Sequence, residues 1–296
     1  MIGILGTNPD SWRLKELVSA LKEMDVPHQA LFPWLFSLQQ EGDQLEVRYA
    51  SALIGEELNF DLIYVISLGL ELLPEALFKL RLLRIMESLG TRIVNSVSTI
   101  ETCRNKVDMT LTLSSRGIPM PETFVTESVH LAAEYISSNK PCVIKPITGL
   151  QGRGIILIPE GMSQGDIVDY LSWFQGRYGR DVIYVQKYVE HPSYDIRVLV
   201  VGDRVAAKMR RFSPESWKTN ISAGAQPQPS GDDVDDLALQ AARAVGGEVV
   251  GVDILPSVSG EYYVIEVNAF PGWRGLQEVS EERIAGAVVE YLSSLS

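Results

Sequence analysis

Cysteine and histidine are scarce in this chain of 296 residues, which has two of the first and three of the second. Cys103 and Cys142 supply neither a disulfide framework nor the ligand spacing of a zinc site, so both are expected to be free structural thiols of a cytosolic protein. Long apolar runs are missing too. No stretch reaches the ~18 residues that a bilayer span requires, so no membrane partner is expected. The opening MIGILGTNPD has neither the basic start nor the apolar core of a signal peptide, and reads as a strand and a turn. Positive charge is also in short supply: 26 Lys and Arg stand against 38 Asp and Glu, a formal net charge of −12. That balance excludes the basic face that duplex binding needs, and a nucleic-acid partner with it. Any anionic substrate must therefore meet a local cluster of lysines and arginines.

What remains is ordinary globular material, 46% hydrophobic and 22% charged, long enough for two or three domains with substantial cores. Strand-like and helix-like segments alternate from the start. IGIL (2–5) reads as a buried strand. SWRLKELVSALKEM follows with apolar residues at helical spacing. DLIYVIS (61–67) reads as a second buried strand, and PEALFKLRLLRIMESLG as a helix with Pro74 at its start and Gly90 past its end. TRIVN closes an α/β unit of Rossmann-like type. The next segment, from Ser98 with Glu101 in capping-box spacing to Gly117, reads as one helix. From Pro141 onward the pattern turns to short strands, with VGD (201–203) as a hairpin turn. SPESWKTNISAGAQPQPSGDD reads as a long polar loop. A helix, two strands (VVGVDILP and EYYVIEVN) and a last helix complete the chain.

KPITGLQGRG (145–154) has the look of a phosphate loop but fails the common templates. A P-loop carries its lysine after the glycines and then Ser or Thr; here Lys145 precedes them. A dinucleotide motif would follow the first strand, whereas this cluster lies mid-chain. What remains is a strand bearing a lysine, a glycine loop and another strand. It is either a plain hairpin or a flap whose N–H groups close over a triphosphate. GVDILPSVSGEYYVIEVNAFPGW favours the second. Glu266 and Asn268 are two apart and share a strand face. With Ser259-Gly260 as a two-residue turn, Asp253 pairs with Glu266. Two carboxylates and an amide oxygen on one face, among apolar neighbours, suit magnesium. Arg197, Arg210, Arg211 and Lys218 lie between the lysine loop and this hairpin. Arg210 and Arg211 are adjacent, so only one can face the metal; Arg211, on the face of Met209, is the choice. The histidines His28, His130 and His191 read as flanking or loop residues rather than catalysts.

From about residue 95 to about 275 these motifs resemble the ATP-grasp superfamily, and within it the RimK-type glutamate ligases. The resemblance implies an α/β (α+β) fold, with an N-terminal Rossmann-like domain (1–96) followed by two ATP-grasp lobes (97–188 and 189–296). It implies that Lys106, in RNKVDMTLTLSSRGIPMPET, and Lys145 bind the nucleotide, with Gln151, Gly152 and Gly154 of a mobile loop. In YVQKYVE, Lys187 and Val189 would offer backbone groups to adenine and Tyr188 would pack beside it. Asp195 would lie near the ribose, and Arg197 near the phosphates or substrate. Arg211 would steady an acyl phosphate, Lys218 and Asn220 would line the site, and Asp253, Glu266 and Asn268 would hold Mg2+ or Mn2+. Three positions depart from the pattern: Lys187 stands for a common Glu, Leu150 for a Ser, and Ala225 for the second glycine of a pair.

The activity implied is ATP-dependent amide formation through an acyl phosphate. L-glutamate is the favoured amino acid, and the motifs EVNAFPGWRGLQ and WKTNI resemble most the branch acting on pterin-type coenzymes. A ligase acting on a protein C-terminus, or an ATP-binding protein or kinase without ligation, are the alternatives. A homo-oligomer in the cytoplasm is expected.

Overall fold

The computed structural model describes residues 1–295 apart from 43, 70–72, 149–153, 179–181, 215 and 220–223. Strand β1 (Ile2–Leu5) is buried along its whole length, as a strand covered on both faces must be. Helix α1 (Trp12–Glu23) begins at Ser11, whose hydroxyl accepts from the Leu14 N–H, and it buries Leu14, Leu17, Ala20 and Leu21 at helical spacing. Strand β2 (His28–Leu31) then pairs in parallel with β1. Three antiparallel strands follow: β3 (Phe36–Glu41), β4 (Gln44–Tyr49) and β5 (Ala52–Leu53). Their alternating apolar residues are too few to stand out from sequence alone. Strand β6 (Leu62–Val65), helix α2 (Leu73–Ser88) and strand β7 (Arg92–Val94) complete a parallel sheet of order β2-β1-β6-β7.

The next helical segment corrects the sequence expectation. Its cap is Ser96, accepting from Thr99 N–H, with Ser98 already inside the first turn of α3 (Val97–Arg104). Glu101 is turned outward to pair with Arg84. The run then breaks at Asn105, which is extended and caps a separate helix, α4 (Lys106–Ser115), by accepting from Val107 N–H. That break puts Lys106 on the first residue of a helix, buried.

Strand β8 (Thr123–Thr126), helix α5 (Val129–Asn139), strands β9 (Cys142–Lys145) and β10 (Ile156–Ile158), helix α6 (Gln164–Tyr178) and strand β11 (Ile183–Lys187) form an antiparallel sheet of order β10-β9-β11-β8 with two helices packed on it. This unit has a core of its own, built on residues such as Ile144, Phe174 and Val185.

The third sheet, of order β14-β13-β12-β15-β16, is antiparallel throughout. Strands β12 (Tyr194–Val201) and β13 (Arg204–Phe212) join through Gly202-Asp203. Gly202 is in the left-handed region at φ +60, and a Cβ there would run into the Tyr291 ring. Strand β14 (Gln226–Pro229) lies inside the segment expected to be a polar loop. Pro227 and Pro229 alternate along it, so both missing donors point away from β13, which an edge strand tolerates. Helix α7 (Asp235–Ala244) leads to β15 (Val249–Pro256) and β16 (Tyr262–Asn268), and α8 (Arg274–Val279) and α9 (Ile284–Ser294) end the chain. Apolar residues of the parallel sheet and of this third sheet share continuous cores, Leu5 with Ile196 in one and Ile4 with Leu199 in another.

A single amide ties these two sheets together. Asn95 is fully buried; its Nδ2 donates to Val249 O and Ala269 O, both at 2.8 Å, and its Oδ1 accepts from the N–H groups of Glu248 and Val249 at 2.8 and 2.9 Å. Asn95→Ala leaves four buried backbone groups without a partner, and is expected to destabilise the protein by about 3 kcal/mol. The measurement is the urea midpoint at unchanged slope; a shift within error would show that these bonds carry no net stability.

Candidate active site

The β15–β16 hairpin presents Asp253 opposite Glu266, but by a different route from the one the sequence pattern offers. The turn is longer than two residues: Ser257 N–H donates to Glu261 O at 2.7 Å, and Gly260 sits at φ +89. Near the turn Ile254 pairs with Val264, whereas beyond it Asp253 pairs with Glu266, leaving Ile265 as one extra residue in β16. This bulge cancels the shift introduced by the turn. Asn268 pairs with Gly251, where a Cβ would come within 2.7 Å of Arg197 Nη1. The glycine is needed because Arg197 crosses over it.

Asp253 is the most encircled of these groups. Arg197 Nη2 donates to its Oδ2 at 2.9 Å, Arg197 Nε touches Oδ1, and Arg211 Nη2 lies 3.0 Å from Oδ2. Arg211 also grips Asp195 through two bonds of 2.6 Å, and Thr219 Oγ1 donates to Asp195 at 2.6 Å. Both oxygens of Asp195 are thus occupied within the protein, which makes it a support for Arg211 as well as a cleft residue. Burial pushes the Asp253 carboxyl up, but Arg197 and Arg211 outweigh it and hold its pKa below the usual range. Arg210, one residue from Arg211, points the other way, to Asp232 at 2.7 and 2.8 Å.

Two lysines face this cluster, Lys106 from the start of α4 and Lys145 from the antiparallel sheet. Lys106 Nζ lies 3.4 Å from Glu266 Oε1, while its backbone N–H donates to Ile147 O at 3.0 Å, two residues past Lys145. Lys145 Nζ donates to Gln186 Oε1 at 2.6 Å. Gln186, buried on β11, is held by Thr123 and Tyr184. With a neutral partner, the Lys145 ammonium is pushed down to about 8, first by burial and then by Lys106.

These groups line one cleft with about 740 Å³ of empty space, its open mouth included. Its apolar lining comes from both sheets, Val143 and Ile155 from one and Leu255 and Ile265 from the other, with Tyr188, Val189 and His191 also lining it. Lys187 N–H donates to Glu122 O and Tyr188 N–H to Pro141 O. Lys218 lies over the Trp217 ring, 5.4 Å from its centre, and both line the cleft. Gln151, Gly152 and Asn220 lie outside the described residues, as does Leu150; Gly154 is described, at φ +74. Sequence reasoning missed Gln186, Trp217 and Thr219, and set aside His191. The one available signal was Gln186, a polar residue in the otherwise apolar strand VIYVQ.

The thiols take no part. Burial pushes Cys103 up to about 12 and Cys142 up to about 11, far from nucleophilic thiolates at neutral pH. Among the described residues no group of three or more His, Cys, Asp or Glu is placed to hold a metal. The set Asp253, Glu266 and Asn268 is of another kind, two carboxylates and an amide. Its donors are all oxygens, as magnesium prefers, and the buried Asp253 Oδ1 accepts no aligned hydrogen bond. The donor chemistry fits.

A model of the RimK-like ATP-grasp domain matches residues 103–292, nearly two thirds of the chain. The chain belongs to the RimK-like ATP-grasp family. It is 34% identical over 203 residues to the tetrahydromethanopterin:alpha-L-glutamate ligase of Methanocaldococcus jannaschii, a match covering 67% of this chain and 69% of that protein. To the alpha-aminoadipate–LysW ligase LysX of Saccharolobus solfataricus it is 29% identical over 211 residues, 70% and 76% of the two chains. The solved ATP-grasp ligase PsnB, complexed with a minimal precursor, shares the fold at a TM-score of 0.74 and 18% identity, covering 100% of this chain and 99% of that one. This RimK-like protein is therefore an enzyme of the ATP-dependent carboxylate–amine ligase class. No helix among its described residues is long and apolar enough to cross a membrane.

If Lys145 meets the phosphates of a bound nucleotide, it gives the RimK-like site a pH dependence of definite sign. Free, it loses its proton near pH 8; a bound polyphosphate favours the protonated form and raises that value. Between the two values binding takes up a proton, so ADP affinity should fall as pH rises through 8, by up to about tenfold per pH unit. In Lys145→Arg the guanidinium stays charged and the fall should vanish. Calorimetric titration across the alkaline range reads both; a flat profile for the native protein would take Lys145 off the phosphates.

Proposed function

We propose that this protein joins an amino acid, with L-glutamate favoured, to a carboxylate acceptor of the pterin-coenzyme type, consuming ATP to ADP and phosphate. The observation that carries the reading is the excess of positive charge in one cleft of an acidic protein. Lys106, Lys145, Lys187, Arg211 and Lys218 line that cleft with Asp195, Asp253 and Glu266, and Arg197 is bonded to Asp253. Such an excess draws in a polyanion that the protein as a whole repels. The apolar end near Tyr188 suits a purine ring, with the N–H of Val189 and the carbonyl of Lys187 as its backbone contacts.

In this reading Lys106 and Lys145 hold the terminal phosphates, so the bond broken is the β–γ one. The acceptor carboxylate takes the phosphoryl group, and Arg211, fixed by Asp195, stabilises the oxyanion that forms when the amine attacks. Asp253, Glu266 and Asn268 would hold magnesium or manganese, which would supply positive charge against the charge developing on the phosphates. The tetrahydromethanopterin ligases among the relatives support the acceptor type. The LysX relatives favour a second reading, in which the acceptor is the C-terminus of a protein.

With a carboxylate acceptor present, ATP should give ADP and phosphate. Hydroxylamine should trap the activated acceptor as a hydroxamate, and L-glutamate should divert it to an amide. AMP as product would overturn the reading. Glu266→Gln should keep the fold and lower turnover by about a hundredfold or more, as for loss of one preorganised electrostatic group. Near-normal turnover at ordinary magnesium would remove Glu266 from the metal set.

A further inference from the structure

A second cleft lies away from the nucleotide, at the carboxyl edge of the parallel sheet. It is lined by Thr7 after β1, by Trp34 after β2, by Gly69 after β6, and by Glu75 and Phe78 on the first turns of α2. It has about 940 Å³ of empty space, open mouth included, more than the nucleotide cleft. Connections from β1 lead to β2 on one side and those into β6 lie on the other, so this is the point where strand order reverses. In open parallel sheets that crevice is where ligands bind.

Its walls are unusual for a solvent-facing surface. Trp34 is 59% exposed and Phe78 42% exposed. Trp34 stacks on Phe32 with ring centres 5.0 Å apart and an angle of 19°, which fixes the indole plane. One face of a large aromatic ring is thus held ready for a partner at little entropic cost. Three polar residues line it: Thr7, which bonds to Ser67 at 2.8 and 3.1 Å, Lys79, whose ammonium donates to Leu68 O at 2.6 Å, and Glu75 with its carboxylate. An aromatic platform beside a hydroxyl pair and an acceptor-only carboxylate matches a planar ring carrying N–H donors.

The cleft is also linked to the catalytic hairpin. Arg13, on the first turn of α1, donates to Phe270 O at 3.0 Å and also to Pro271 O at 2.5 Å and to Ile66 O. Phe270 is two residues past Asn268, and Gly69 three past Ile66. At ~3.8 Å per residue, the cleft and the hairpin are no more than about 30 Å apart.

We infer that this second cleft holds the planar fused-ring heteroaromatic end of the acceptor, stacked on Trp34, while its carboxylate arm reaches the nucleotide cleft past Phe270. The inference rests on the ligase reading for what happens at the far end, but the ring site is separately measurable.

Folic acid, a fused pteridine ring on an arm ending in carboxylates, is the probe. Its binding to the native protein is measured by calorimetry with ADP present, and compared with Trp34→Ala, Phe78→Ala and Trp34→Phe. Loss of a stacking platform should weaken binding by roughly tenfold or more in Trp34→Ala, and the phenyl ring of Trp34→Phe should restore most of it. ADP affinity should stay unchanged in all three, since none touches the nucleotide cleft. Equal folate affinity in native protein and Trp34→Ala overturns the inference, as does no binding to the native protein. A change of oligomeric state in Trp34→Ala without a change in folate affinity also overturns it, assigning the face to a second copy of the chain. Folate binding that depends on Trp34, in a protein that forms no ADP with any carboxylate, would sink the ligase reading and leave the ring site standing.

Discussion

Asp253 is a carboxylate taken almost entirely out of water, and the architecture of the third sheet follows from the need to balance it. Burying one ion unpaired is prohibitive, and removing one member of a buried pair typically costs about 3–5 kcal/mol. Here the balance is met twice over. Arg197 arrives from the neighbouring strand at the paired position, Arg197 opposite Asp253, and Arg211 from one strand further. Arg211 then needs Asp195, which is paired directly across from it, and Asp195 needs Thr219. Strand register in β12, β13 and β15 is thereby fixed by charge as well as by apolar packing. A slip of one residue would bury Ile254 where the carboxylate belongs and leave two arginines unpaired.

The same demand fixes the hairpin beyond it. Gly251 is bare so that Arg197 can pass, and the extra residue at Ile265 returns Glu266 to a position opposite Asp253. Outside the hairpin, Asn95 clamps its entry and exit with four bonds, and Arg13 holds the carbonyls just after it. Both residues come from the first 95 of the chain. The parallel sheet therefore supports the β15–β16 hairpin physically, through a shared core, the buried Asn95 and the half-buried Arg13.

The antiparallel sheet carrying Lys145 is joined to this body differently. It has a separate apolar core, and it meets this body at the helix break, where Lys106 N–H donates to Ile147 O while Lys106 Nζ reaches Glu266. Units with independent cores move relative to one another by default. Lys145 comes to the cleft from this sheet bonded to the neutral Gln186, whereas Arg197 and Arg211 come with the third sheet and are bonded to Asp253 and Asp195.

Much of this was legible in the residues. Period-two spacing put Glu266 and Asn268 on one face, and Lys145 before its glycines set the stretch apart from a P-loop. The alternation in β13 separated Arg211 from Arg210, because adjacent residues on a strand must point apart. What the sequence could not supply were the effects of groups distant along the chain. The turn of β15–β16 is longer than its Ser-Gly signal, and only the bulge three residues before Asn268 restores the pairing. Asn105 breaks a helix that its apolar spacing would continue; its cap to Val107 is local, but the bond from Lys106 N–H to Ile147 O that goes with the break is tertiary. Gln186 and Thr219 have no local motif at all; they matter because the fold buries a lysine and a carboxylate that need them. Local periodicity is written in the chain, but which buried charge meets which partner is decided only when the sheets close on one another.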